Sequence, residues 1–512
     1  MKYIVKNIRI PVGEEQNIES HLSSILMVQS VNNLKWNISR RALDTRKRNH
    51  PTFVYTVELE SDILFKQNPD LMLKPIPEKS KANIVRSSGN NPFIIGMGPA
   101  GLFCALAMVE NGLKPYIFDR GDKLKNRTEA VNDFWKKGIL NPNSNVQYGE
   151  GGAGAFSDGK LTSRSDNETI RNIYELFIQF GAPEQIGWEA LPHLGTDVIR
   201  QIVIKIREYL ISKGSVFHYK STLDNLTIHN NRISAVTINN ENYNPEFVVL
   251  AIGNSARETY QMLFNNGISL ESKPFAVGLR ISHPQTWINK TIYGNEKWAE
   301  KLGAATYRLS ANKSGKGTYT FCMCPGGFVI AASSEPDTIV TNGMSFSGRN
   351  NSTGNSAIVT NVSKLDFGNA VLDGIKFQKQ IEAKAFRSGY AAPYQKSRDF
   401  MIGKLSGNQS IDCLFPNIKS AQLSDFFPTS IVHALKSSLH HFDKILPGFI
   451  IQGTLLAPET RTSAPIRILR NKQYLHCLNI YNLFPVGEGS GYAGGIISSA
   501  ADGYRIGSTF HL

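Results

Sequence analysis

No stretch of the 512-residue chain is apolar over the roughly 20 residues that a membrane-spanning helix needs. The nearest approach is FIIGMGPAGLFCALAMV (93–109), which is uncharged but slightly short and carries three glycines and a proline in its first half. The N-terminal stretch MKYIVKNIRIPVGEE is broken by charges, so it cannot serve as the apolar region of a signal peptide. Cysteine is scarce. The five present, at positions 104, 322, 324, 413 and 477, are odd in number and scattered. They offer no disulfide framework, no C-x-x-C pair and no tetrahedral metal spacing, which fits a reducing compartment. The histidines include no HExxH, SGKGT (314–318) lacks the spacing of a phosphate-binding P-loop, and no repeat of solenoid period occurs. Acids are outnumbered 42 to 56 by Lys and Arg, for a formal charge of +14. That excess suits an anionic partner, although it serves solubility equally well. With 41% hydrophobic and 19% charged residues the chain reads as soluble and globular. Cytoplasmic localisation, no membrane span and no metal are expected.

The chain changes texture along its length. Residues 1–75 read as a small α+β unit: KYIVKNIRIPV and PTFVYTVELES alternate like strands and NIESHLSSILMVQ has helical spacing. The basic RRALDTRKR lies between them and reads as a solvated loop. The polar segment 76–92 reads as a linker. From 93 the pattern is α/β, and we divide it into 93–270, an inserted mixed α+β segment 271–449, and a return segment 450–512. TNGMSFSGRNNSTGNS (341–356) reads as a loop.

The uncharged run contains Gly96-Met97-Gly98-Pro99-Ala100-Gly101, after a strand and at the start of a helix. In such a motif the first glycine makes a tight turn, the second lets a pyrophosphate approach the backbone, and the third allows close helix–strand packing. The N–H groups of the helix N-terminus then face the phosphate. A second strand, KPYIFDR, ends in Asp119 and Arg120, and Asp119 stands 18 residues beyond Gly101, near the spacing of a carboxylate on a ribose hydroxyl. The run is therefore expected to be a buried strand–turn–helix that binds a dinucleotide.

The tail indicates which one. Gly487-Glu488-Gly489-Ser490-Gly491 precedes an apolar helix expected at 493–507. A search would score Gly489, Gly491 and Gly494 as another GxGxxG, but the 18 residues that follow leave no room for a second strand and acid. FAD accounts for the tail better. Glu488 can accept from ribityl hydroxyls, and the helix N-terminus, with Gly494, Gly495 and Ile496, can set its positive end against a reduced flavin. FVVLAIGNSA (247–256) adds a buried strand whose end, Ala251 and Gly253, lets the chain turn past a cofactor.

These stretches, together with NVQYGEGGAGAFSDGKLTSR (145–164), ALPHLGTD (190–197), KPFAVGLRISHPQ (273–285), YTFCMCPGGFVI (319–330), TNGMSFSGRN (341–350), ETRTSAPIRILR (459–470) and FPVGEGSGYAGGIISSAADG (484–503), resemble the uncharacterised FAD-dependent dehydrogenase family. The resemblance covers nearly the whole chain. It implies an α/β, Rossmann-like FAD-binding domain of the glutathione-reductase type, with an inserted mixed α+β substrate domain and a small N-terminal α+β domain. It also implies FAD and an oxidoreductase class, but no substrate; our own expectation is hydride transfer between flavin N5 and an unidentified small organic substrate, an anion if Arg461 binds it. It places GEGGAGAFSDGKL (149–161), with Gly151 and Gly152, beside the FAD.

Four residues are candidates for chemistry. Lys160 near the flavin would stabilise a reduced anion, or else it is a surface residue. Arg461, in a segment with Glu459 and Arg467, could hold a substrate anion, or pair internally. Cys322 and Cys324 are expected on opposite faces of an extended segment, one of them toward the flavin; the alternative is two buried small hydrophobes. His193 reads as structural. No second βαβ fingerprint exists for NAD(P)H, which would act only as a transient donor. An alternative from another class is a flavoprotein that binds nucleic acid through RRALDTRKR, although that segment lacks the interleaved aromatics that stack on bases.

Overall fold

The computed structural model describes residues 1–74, 85–86, 92–162, 168–313, 315–387 and 389–512. Apart from Val85, Arg86 and Pro92, the expected linker lies outside the described residues.

At the N-terminus an antiparallel sheet runs in the order 35–44, 52–60, 2–11, 71–73. Helix Ile18–Leu26 buries Leu22 and Leu26 in a core with Tyr3, Val5, Ile8, Ile10, Tyr55 and Val57. The expected loop RRALDTRKR is corrected here, because its first five residues belong to strand Lys35–Asp44, paired along Thr52–Glu60. The strand's alternation is broken by a register shift between Ile38 and Arg40, and the Arg41 guanidinium lies 4.7 Å from the Phe53 ring and 4.6 Å from that of Trp188.

The uncharged run is the centre of a five-stranded parallel sheet, ordered 483–485, 248–250, 93–95, 116–118, 216–218. Both faces are covered, so the strands read as continuous apolar triplets, with no alternation to betray them. Helix Pro99–Glu110 is buried from Ala100 to Met108, and that is why it carries no charge before its last residue, Glu110. It packs against the C-terminal helix Ile496–Gly507 at a separation only small residues allow: a Cβ on Gly503 would stand 2.0 Å from the Ala100 carbonyl oxygen. The first βα turn and the tail are thereby brought together. The tail helix starts three residues later than expected, since Gly495, at φ +153°, still belongs to the turn.

A seven-stranded sheet forms the middle of the molecule, in the order 310–313, 316–324, 353–362, 275–284, 454–459, 391–396, 417–420. Strand Phe275–Pro284 is buried from Phe275 to His283, and helix Thr429–Ile445 adds Ile431, Leu435, Leu439 and Phe442 to its core. Two sequence readings shift here. Strand Thr454–Glu459, assigned above to the return segment, is paired on both edges inside this sheet. The supposed loop 341–356 is partly strand, Thr341–Met344 and the beginning of Thr353–Val362. Two of its buried polar side chains are bonded: Thr341 Oγ1 donates to the Pro458 carbonyl, and Asn355 Oδ1 accepts from Arg280.

Candidate functional site

One continuous cavity of about 2090 Å³ runs between the parallel sheet and the middle sheet. Gly96, Gly98, Pro99 and Ala100 line it from the first βα turn, and Glu488, Gly494, Gly495 and Ile496 from the tail. The helices behind the two turns both begin without a side-chain cap, so first-turn N–H groups, which have no partner within a helix, are left for something else. Gly98 faces Gly152: a Cβ on Gly152 would lie 2.9 Å from the Gly98 Cα. The two segments touch at this point, closer than a side chain on Gly152 would allow, and both line the cavity.

Several predicted residues shape the turns from behind and do not face the cavity. Gly101 backs onto Gly96, where a Cβ would meet the carbonyl oxygen at 2.0 Å; Gly487 backs onto Ala100 and Gly151 onto Val203. Ala251 and Gly253 do line the cavity, and Tyr260 ties their turn to the tail by donating to the carbonyls of Gly253 (2.9 Å) or Gly489 (2.7 Å). Asp119 lines the cavity as well, but its carboxylate already accepts from the Met97 and Gly121 amides at 2.9 and 2.8 Å. It thus holds the glycine turn as much as it faces a ligand. Arg120 lies 4.5 Å from the Tyr148 ring and donates to Glu258 and Asn143.

The segment around Gly151 and Gly152 is organised by a residue that sequence reasoning missed. Arg127 is fully buried and donates to the carbonyls of Asn145, Val146, Gly149, Glu150 and Gly152. The neighbouring Glu150, also fully buried, takes Arg207 at 2.8 Å. The signal for Arg127 was present but weak: one arginine on a helix preceding a glycine-rich stretch.

Glu488 accepts from Asn254 Nδ2 at 2.7 Å, and burial pushes its carboxyl up to about 7. Nearby Lys273 also lines the cavity. Among the described residues Lys273 has no ion-pair partner, and burial, then Arg467, depress its pKa. Lys273 stands first in KPFAVGLRISHPQ, where no local pattern marks it out.

Because the folded-state pKa of Glu488 is raised, the folded protein holds a proton that the unfolded chain releases between pH 4.5 and about 7. Stability due to Glu488 therefore falls as pH rises through that window. Flavin-free Glu488→Gln protein is expected to show a shallower fall in urea midpoint between pH 5 and 8 than the parent, read by circular dichroism.

Lys160 and Cys322 line the cavity together. The Lys160 ammonium pairs with Asp158 at 3.2 Å and donates to the Met323 carbonyl, so it is already engaged and braces the cysteine-bearing strand. Asp158 also takes Arg349 at 2.8 Å. His193 lies behind, with Nε2 buried and unpartnered among the described residues; burial, then Arg349, push its pKa down to about 4, keeping it neutral. The expectation that Cys322 and Cys324 point to opposite faces is corrected on two grounds. Alternation has a period of two, so residues i and i+2 of a regular strand share a face. This strand is also not regular: its register slips between Phe321 and Cys324, and Cys322 has φ +45°. Cys322 lines the cavity, and Cys324 is fully buried behind it.

Arg461 is corrected as well. It touches the cavity, but its guanidinium is committed to Glu382, with Nη2 at 3.1 Å. Glu382 simultaneously takes Arg257 at 2.7 Å and the Thr460 hydroxyl at 2.6 Å. No free fork remains for a substrate. Glu459 pairs with Arg280 and Arg467 with Glu271, so all three charges of that segment are spent internally.

Residues 274–462 match the family described as FAD-dependent protein, C-terminal domain-like. Over 98% of its length the chain is 38% identical to an uncharacterised protein of Clostridium beijerinckii, covering 97% of that relative. The chain belongs to this family of FAD-dependent proteins. Among solved structures, CtdE in complex with FAD aligns with a TM-score of 0.31 and 10% identity over 82% of this chain and 83% of that one. GidA of Aquifex aeolicus aligns with a TM-score of 0.34 and 12% identity over 82% and 63%. The cavity fits the family's cofactor in the chemistry of its donors: two uncapped helix N-termini, a wall of bare glycine backbone at Gly98 and Gly152, and a carboxylate at Glu488. The cavity is also larger than the 300–1,000 Å³ or so of a pocket for one small molecule, leaving room beside a dinucleotide. Among the described residues no helix is long and apolar enough to cross a membrane, and no group of His, Cys, Asp and Glu is arranged to hold a metal.

Proposed function

We infer that the protein is an FAD-dependent oxidoreductase acting on a small anionic organic substrate. The first-turn amides beside Gly98 would hold the pyrophosphate, Asp119 and Arg120 would flank the ribose end, and Glu488 would take the ribityl hydroxyls. When bound, FAD supplies a two-electron acceptor that takes hydride at N5. The middle sheet keeps water from the space in front of it. One observation supports the anionic substrate above the rest: Lys273 is a half-buried cation without an ion pair among the described residues, beside Glu488 in the cavity wall. A carboxylate placed there would restore the charge pairing that burial makes favourable. The basic N-terminal segment gives the nucleic-acid alternative little, since Arg41 and Arg46 spend their charges on Glu189 and Asp44. NAD(P)H remains a transient donor in this reading.

Anaerobic mixing with hydroxy-, amino- and dicarboxylic acids, alongside NADH and NADPH, tests it. One acid class is expected to bleach the visible flavin absorbance. Lys273→Met should raise its KM by about tenfold or more, roughly the 1.5–3 kcal/mol of a charged hydrogen bond, and Lys273→Arg should restore much of it. A fully flavinylated protein that no acid bleaches would overturn the proposal.

A further inference from the structure

The cysteine pair is placed as a group that does chemistry and not as filler. A thiol that only packs is buried among apolar side chains. Cys322 lines the cavity instead, at a bulge where its own φ is +45°. Two cations clamp the pair. Arg280, fully buried and held by Glu459 at 2.9 Å, donates through Nη2 to the Cys322 carbonyl at 2.8 Å and contacts Cys324 Sγ at 3.4 Å. Lys160 bonds the carbonyl of Met323, the residue between the two cysteines. Cys322 and Glu488 line the same cavity, which connects the pair to the tail turn.

We propose that Cys322 and Cys324 are a redox-active dithiol that exchanges an electron pair with FAD in this cavity, a proposal that rests on the cofactor reading above. The bulge bends the strand where the two thiols lie, and bulges recur where a strand must re-aim a side chain. A hydrogen bond from Cys324, then the charges of Lys160 and Arg280, lower the pKa of Cys322, while burial and Cys322 raise that of Cys324. The pair therefore shares one proton, with Cys322 as thiolate, the reactive form of a cysteine. In the oxidising direction the S–H bond of Cys324 breaks and an S–S bond forms. Two electrons and that one proton pass to the flavin, which balances the step. Reversal returns both.

The test uses the coloured, full-length protein. Anaerobic reductive titration is expected to consume twice as many electrons per flavin as the same titration of Cys322→Ser. Independently, mild oxidation with diamide followed by alkylation in denaturant should leave two thiols fewer than in the reduced protein. Peptide mapping should place the bridge at 322–324, and Cys324→Ala should abolish it while Cys413→Ser leaves it intact. Equal electron uptake by parent and Cys322→Ser, with both coloured, would overturn the relay. Coloured protein that forms no 322–324 bridge would overturn the dithiol and leave the flavin reading standing. Colourless protein that still forms the bridge would keep the dithiol and remove the flavin reading beneath it.

Discussion

Gly98→Val is expected to purify as a folded but colourless protein. Gly98 has φ −78°, open to any residue, and a Cβ there would meet nothing nearer than the Gly152 Cα at 3.7 Å. The backbone therefore tolerates the substitution. The two γ-methyls, however, must project into the cavity at the first turn, beside the amides to which we assign the pyrophosphate. Losing two charge-assisted hydrogen bonds of about 1.5–3 kcal/mol each would weaken FAD by about 100-fold or more. The ratio of flavin to protein absorbance, with circular dichroism to verify the fold, reads both halves of the expectation. Stoichiometric yellow Gly98→Val protein would refute the placement. Gly101→Val is a contrast: its Cβ would stand 2.0 Å from the Gly96 carbonyl oxygen, so folding itself should fail.

Replacing Glu382 by Gln is expected to cost the most stability of any single isosteric change at the site. Its carboxylate is fully buried and answers Arg257 and Arg461 together. Burial opposes its ionisation, but Arg257 and Arg461 outweigh that and hold its carboxyl down to about 2. The amide keeps the shape but leaves two buried guanidinium groups uncompensated, a loss of about 3–5 kcal/mol. Urea denaturation should show it. Glu271→Gln, which breaks the half-exposed pair with Arg467, should cost no more than about 1 kcal/mol. The pH dependence has a definite sign. A depressed folded-state pKa gives stability that is fully present above pH 4.5 and drains away toward pH 2, and the Gln variant should lack that part of the acid transition.

The contrast between these residues marks what the sequence could disclose. Gly96, Gly98, Gly494 and Gly495 were legible because a glycine motif between strand and helix is a local pattern, and local patterns survive in one dimension. Parallel strands such as Val248–Leu250 were legible as apolar triplets bounded by turns. Glu382, Arg127 and Lys273 were not, because their meaning lies in partners, or the lack of them, contributed from distant segments. The same limit misplaced Arg461, whose segment contains an acid four residues or fewer away that it does not use. Strand Thr341–Met344 was hidden for another reason: its composition is that of a loop, and only its pairing with Phe328–Ala331 and the bond from Thr341 to the Pro458 carbonyl override the propensity.

The contact between Gly487 and Ala100 joins positions about 390 residues apart in the chain. Few local interactions reward such a closure before it is made. Strand Leu483–Pro485, which leads into Gly487, is itself an edge of the parallel sheet, so the cradle is complete only once that long-range pairing is made. Yellow colour in a preparation would then be more than a sign of cofactor: it would count the molecules that had finished folding.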